Sequence, residues 1–258
     1  MDPILARSPA LFRAFGWYLH WYFSRSFRAV RVSRAGLPAL PAGVPVVIYT
    51  NHPSWWDPAL FILLSVTLLQ ARAGFGPMDE AALGQYGFMR RLGIFGIEPG
   101  STRGAARFLD VSRRVLRDPS AALWITAEGH FTDPRVRPVA LRPGLAHLAR
   151  RNPGVAFIPM AIEYPFWNER KAEALIRFGP AAMSGDPDDV AGWTARLSAA
   201  LQAEMDALAA ESATRDAALF QTVLNSGSSV GGIYDLWRRG RSWAGGRRAR
   251  LSHEARAE

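Results

Sequence analysis

Val46-Val47-Ile48-Tyr49-Thr50-Asn51-His52-Pro53-Ser54-Trp55-Trp56-Asp57-Pro58 is the stretch that decides the fold. Its first four residues are β-branched or aromatic and carry no charge, which suits a short strand buried on both faces. Thr50-Asn51-His52-Pro53 ends the strand, because proline cannot donate to a ladder and asparagine favours turns. A helix is expected from about Asp57. The uncharged run over 58–71 is shorter than the roughly 20 apolar residues a membrane crossing needs, so it reads as a buried core helix.

Working outward, residues 94–97, 121–126 and 155–162 read as further strands, with a weak fifth at 175–178. Helices are expected over 79–91, from Ser101 or Thr102 to 117, and over 143–151. Beyond Pro187, the residues Trp193, Leu197, Leu201, Met205 and Leu208 form one more helical stripe. Strands alternating with helices predict an α/β fold, a mixed central sheet flanked by helices. Three segments are expected: an N-terminal membrane-interface helical segment at 1–36, an α/β domain at 37–212, and a helical, basic extension at 213–258.

The 258 residues carry 31 basic and 22 acidic side chains, a formal charge of +9, and Lys171 is the one lysine. Such an excess suits an anionic partner: a membrane surface, a phosphorylated substrate or nucleic acid. The chain has no cysteine, which excludes a disulfide framework and a thiolate nucleophile. No compact apolar run with a small-residue cleavage site marks the N-terminus, so a secretory signal is not expected.

Residues 8–34 combine Phe12, Phe15, Trp17, Tyr18, Trp21, Tyr22, Phe23 and Phe27 with Arg13, Arg25, Arg28, Arg31 and Arg34. Aromatic rings and arginine stems favour the headgroup layer of a bilayer, so this basic helix is read as interfacial. Its alternative is a helix covering the core with a solvated basic edge. A second basic cluster, from Arg238 to Arg250, interleaves Trp237 and Trp243. Nucleic acid is not the expected partner, because zinc-ligand spacing and an RNA-recognition signature are both missing. Anionic lipid is.

His52 stands five residues before Asp57. Across a tight turn at a helix start, the carboxylate can accept a hydrogen bond from one imidazole nitrogen and leave the other free as a general base. Spacing alone favours a helix-capping aspartate beside a turn histidine.

Taken with its flanks, this segment resembles the first motif of the glycerolipid acyltransferase family, which acylates lysophospholipids and glycerol phosphate. Further blocks follow in that family's order. Leu92-Gly93-Ile94-Phe95-Gly96-Ile97 looks like its second motif, Ile125-Thr126-Ala127-Glu128-Gly129 its third and Ile158-Pro159-Met160-Ala161-Ile162 its fourth, with the basic-Gly-Ala helix Arg142-Pro143-Gly144-Leu145-Ala146 before the last. The resemblance covers about residues 44–165. It implies that His52 deprotonates an acceptor hydroxyl attacking an acyl thioester, that Asp57 supports His52, and that backbone N–H groups hold the oxyanion. It further implies substrate-binding roles for Asn51, Ser54, Glu128, Gly129 and His130. No metal or cofactor is expected; acyl-CoA or acyl carrier protein would be the co-substrate, and the cytoplasmic face of the cell membrane the place of work.

Two departures bear on the acceptor. The family's second motif usually ends in an arginine that grips phosphate, but here Glu98-Pro99 follows Ile97, leaving Arg103 as the nearest candidate. The arginine of its third motif is replaced by Phe131, with Arg135, Arg137 and Arg142 nearby in sequence. A lysophospholipid held differently, or a lipid with another head group, is therefore as eligible as a glycerol phosphate. Three rivals remain open: a metal-dependent hydrolase built on His52, Asp57, Glu128 and His130; a serine hydrolase using Gly227-Ser228-Ser229-Val230-Gly231; and a membrane-binding protein of this fold that has lost catalysis.

Overall fold

The computed structural model describes residues 2–185 and 188–226. A first turn, α1 (Pro3–Ala6), leads into α2 (Pro9–Ser26), which Ser8 caps by accepting from the Leu11 N–H, with Pro9 at its first position. Phe12, Gly16, Leu19 and Phe23 form its buried stripe. Those spacings of three and four residues put one side of the helix on the core. Gly16 lets α2 lie close against the next helix, because a Cβ there would sit 2.7 Å from Val66 Cγ1. Burying Phe12, Leu19 and Phe23 contributes about 1.5–3 kcal/mol each, so α2 is part of the fold as well as a surface.

The basic helix stops at Ser26, short of the expected 34, and residues 29–33 are a strand, β1 (Ala29–Ser33). This corrects the reading of 1–36 as helical throughout. The cause lies far along the chain. Arg31, which looked interfacial, is 4% exposed and donates to Glu173 at 3.0 Å and to Thr222 at 2.9 Å, residues of the two strands that flank β1. A cation matched by a carboxylate across the ladder allows the Val30-Arg31-Val32 run to be buried.

Next come β2 (Val46–Thr50), α3 (Asp57–Thr67), β3 (Ala73–Asp79), α4 (Glu80–Gln85), β4 (Ile94–Ile97), α5 (Thr102–Val115) and β5 (Ala121–Thr126). Then follow α6 (Gly144–Arg151), β6 (Ala156–Glu163), β7 (Glu173–Phe178), the two-residue β8 (Ala182–Met183), α7 (Val190–Thr214) and β9 (Phe220–Asn225). The strand order is β4-β3-β5-β2-β6-β7-β1-β9, with β8 pairing β6. From β4 to β6 every pairing is parallel, whereas β6–β7 and β1–β9 are antiparallel, so the sheet is mixed as expected.

β2 sits inside the parallel block and is buried at all five residues. Its alternating side chains feed two cores. Val46 and Ile48 join Leu60, Leu63 and Leu64 of α3 and the buried stripe of α2. Val47 and Tyr49 join Phe108 of α5, Leu148 of α6 and Trp193 and Leu197 of α7. Helices thus cover both faces.

β9 is a second correction. Residues 217–224 read as helix, yet only 217–219 form a 3₁₀ turn and Phe220 starts a strand beside β1. A strand, not a helix, therefore precedes the Gly227–Gly231 motif in the chain. That motif and the Arg238–Arg250 cluster lie outside the described residues.

Candidate active site

Three parallel strands run in register toward one end of the sheet, where β2 and β5 stop at Thr50 and Thr126 opposite Met160 of β6, which continues to Glu163. The residues just beyond those ends must converge, and a crevice at the carboxyl ends of parallel strands is where α/β sheets bind ligands. Asn51 ties the edge together. Its Nδ2 donates to the Ile162 carbonyl and its Oδ1 accepts from the Ile162 N–H, both at 2.9 Å, and the residue has no exposed surface. Both amide atoms are thereby used on backbone, which corrects the substrate-binding role expected for Asn51. An Asn51→Ala protein should lose about 2–4 kcal/mol of stability, read as a lower midpoint in urea, because two buried backbone groups lose their partners.

His52 comes next, and its backbone is held at both ends. Its N–H donates to Glu128 Oε2 at 2.8 Å, and its carbonyl accepts from the Thr132 N–H at 3.0 Å. Glu128 is buried, so its carboxylate serves the His52 main chain. Gly129 turns the chain after Glu128 at φ +71, where a side chain is strained and a Cβ would also lie 2.9 Å from Arg142 Cγ. His130 is exposed, and its Nδ1 lies 3.0 Å from the Glu128 carbonyl oxygen.

The side chains then meet. His52 Nδ1 lies 2.7 Å from Asp57 Oδ2, which also accepts from the Ser54 N–H at 3.2 Å. Ser54 contributes that N–H, while its Oγ accepts from the Trp56 N–H. Asp57 Oδ1 accepts a 2.7 Å bond from the Tyr164 hydroxyl. Sequence reasoning missed Tyr164, which stands 107 residues away with no motif of its own. Asp57 has no exposed surface; burial pushes its carboxyl above the usual range, and the hydrogen bonds from His52, Tyr164 and Ser54 pull it part of the way back. Burial and the Asp57 charge raise the Tyr164 hydroxyl well above its ordinary value, so it stays protonated and donates.

An ionised Asp57 selects the tautomer with hydrogen on Nδ1, which leaves the Nε2 lone pair open. The His52 side chain keeps 15% of its surface exposed, enough for one edge to be reached from solvent. The Phe131 ring lies over it with centroids 4.4 Å apart, and Phe131 itself is 61% exposed. A base roofed by an apolar ring is the result.

The arginines expected here go elsewhere. Arg135 makes a bidentate pair with Asp133, and Arg137 pairs with Asp206 of α7. Arg103 is exposed in the first turn of α5, beyond β4. Arg142 alone runs beside the Glu128-Gly129 turn. Among the described residues, no three His, Cys, Asp or Glu side chains are grouped to hold a metal ion. Glu128 and His130 face main-chain atoms, so the donor set of the metal-hydrolase rival does not converge.

A family model described as Acyltransferase matches residues 31–163, just over half of the chain. The chain belongs to the acyltransferase family. The matched span runs from β1 to the end of β6 and holds His52, Asp57 and Glu128. The crystal structure of the 1-acyl-sn-glycerophosphate (LPA) acyltransferase PlsC from Thermotoga maritima is similar in fold, with TM-score 0.55 at 14% identity over 77% of this chain and 80% of that one. Among curated proteins no relative matches. This acyltransferase therefore has the α/β architecture and family expected from the His52 segment, with its candidate site at the edge made by β2, β5 and β6.

Proposed function

We propose that this acyltransferase moves a fatty acyl group from an acyl thioester, acyl-CoA or acyl carrier protein, to a hydroxyl of a lysophospholipid or related lipid. The observation that carries the reading is the 2.7 Å contact between Nδ1 of a partly exposed His52 side chain and buried Asp57. Nε2 takes the hydroxyl proton as the oxygen attacks the thioester carbon. The tetrahedral intermediate collapses, the C–S bond breaks, and the imidazolium returns the proton to the departing thiolate. No acyl-enzyme is needed, which suits a chain without cysteine. General-base help contributes about 10²–10⁴-fold, and positioning with oxyanion stabilisation by backbone N–H groups supplies the rest. The acceptor is kept broad because Phe131, not an arginine, covers His52.

A lipid acceptor fits the surface around the site. Trp17 is 80% exposed, Tyr18 and Trp21 stand beside it, and Arg25 lies over the Trp21 ring. Ring contacts run without a break from Phe88 through Phe15, Tyr18 and Tyr22 to Trp56 and then Trp55, itself 60% exposed and three residues from His52. Among the described residues no helix is long and apolar enough to cross a membrane. Interfacial seating by α2, at the cytoplasmic face of the cell membrane, brings His52 to the acceptor.

The test must spare β1, so whole-segment deletion is unsuitable. A Trp17→Ser/Trp21→Ser protein should keep its fold and bind anionic liposomes at least about tenfold more weakly in sedimentation, most visibly at high salt, where the attraction of the remaining arginines to the lipid is screened. Unchanged partitioning would remove α2 from the interface. For the enzyme itself, the purified protein is given palmitoyl-CoA and mixed lysophospholipid vesicles, and CoA release with a new diacyl lipid is the expected result.

A further inference from the structure

We propose that Tyr164 is a positioning residue of the active site, holding Asp57 in the orientation and ionisation state that make His52 a base. The inference rests on the His52–Asp57 reading above and adds a member that lies one residue past the matched family span.

Asp57 divides its two carboxylate oxygens. Oδ2 takes the imidazole and the Ser54 N–H, and Oδ1 takes the Tyr164 hydroxyl at 2.7 Å. A carboxylate held on one side only can rotate about its terminal torsion, which is broad, and lose the line to Nδ1. A donor on the far oxygen closes that freedom. It also supplies a charge-assisted bond to an ion that has no exposed surface. The tyrosine is itself fixed. It follows β6 directly, where the Asn51 clamp on Ile162 sets the strand end, and its ring packs at 5.5 Å on Phe27, which in turn meets Trp56 next to Asp57. The groups that meet the pair are the Ser54 N–H from the turn and the Tyr164 hydroxyl from the β6 end, while the Glu128 carboxylate from the β5 turn is taken up by the His52 backbone N–H. The Phe27 and Trp56 side brings only apolar ring surface.

Removing the hydroxyl leaves an ionised Asp57 less supported, so the His52–Asp57 pair takes up its proton at higher pH. Tyr164→Phe keeps the ring on Phe27 and deletes only the donor. With palmitoyl-CoA and mixed lysophospholipid vesicles, kcat should fall about tenfold, the loss of one charge-assisted bond, with KM for palmitoyl-CoA unchanged. The acid limb of the kcat/KM profile should move up by about half a unit or more. In the Asp57→Asn background the same change should slow the enzyme no further, because the hydroxyl acts through the carboxylate. Independently of turnover, the Asp57 carboxyl titration followed by ¹³C NMR in the full chain should move up with Tyr164→Phe, because the hydroxyl that favours the ionised form is gone. A profile and a titration that coincide with the parent's, or a slowing that adds fully to Asp57→Asn, would overturn the assignment. Absence of acyl transfer in the parent would sink the proposed function instead, while the NMR titration would still read the Tyr164 contact.

Discussion

A His52→Ala protein folds like its parent and transfers acyl groups at least about 10³-fold more slowly. The two halves of that expectation have separate physical grounds. The fold survives because the loop is held by the His52 main chain, through Glu128 and Thr132, and neither bond involves the imidazole. Asp57 keeps the Ser54 and Tyr164 donors, so the buried carboxylate is not stranded. Catalysis does not survive, because no other described side chain is hydrogen-bonded to Asp57 and able to accept a proton near neutral pH. The measurement is a thermal melt beside a CoA-release assay on the same preparation. A folded His52→Ala protein with parental turnover would end the general-base account.

Asp57→Asn has the next largest effect, a loss of about 10³–10⁴-fold in kcat, and it discriminates orientation from charge. With its oxygen toward Tyr164, the introduced amide sets its nitrogen against the Ser54 N–H and against His52 Nδ1, to which it donates. The imidazole must then carry its hydrogen on Nε2, the atom that should take the proton from the acceptor. The base is present but in the wrong tautomer, and an imidazolium formed there has no counter-charge. KM for the acyl donor should stay within about threefold, since the carboxylate is buried away from substrate. The sign with pH follows from burial. Because burial raises the Asp57 carboxyl, the pair reaches its working state, ionised aspartate with neutral histidine, only as pH rises, and activity is lost as pH falls. Asp57→Asn should lose that dependence on carboxylate ionisation. A variant with near-parental kcat would show that Asp57 only caps α3.

Local chemistry makes the site's centre legible in the sequence. An apolar strand, a turn rich in asparagine and proline, and a helix opening at Asp57 are decided within about a dozen residues. The histidine and its carboxylate lie within that window. The order of the later blocks then carried Glu128 to the same edge. What stayed hidden depends on distant partners. β1 looked like the tail of a basic helix because the Glu173 that neutralises Arg31 is 142 residues away. β3 was missed because Ala73-Gly74-Phe75-Gly76-Pro77 has poor strand composition; its glycines serve close approach, and a Cβ on Gly74 would lie 3.3 Å from the Phe12 ring of α2. β9 owes its pairing to β1 and so inherited the same invisibility. Asn51 was expected to serve substrate, since nothing local shows that Ile162 occupies both ends of its amide.

The most direct measurement of the central claim is a mass-spectrometric assay with the purified full chain. Palmitoyl-CoA and vesicles of mixed lysophospholipids are incubated with the parent protein and with folded His52→Ala, and the new acylated lipid is followed together with free CoA. The account predicts one palmitoylated lipid class, formed in step with CoA by the parent and at least about 10³-fold more slowly by the variant. Equal product from both proteins would contradict it.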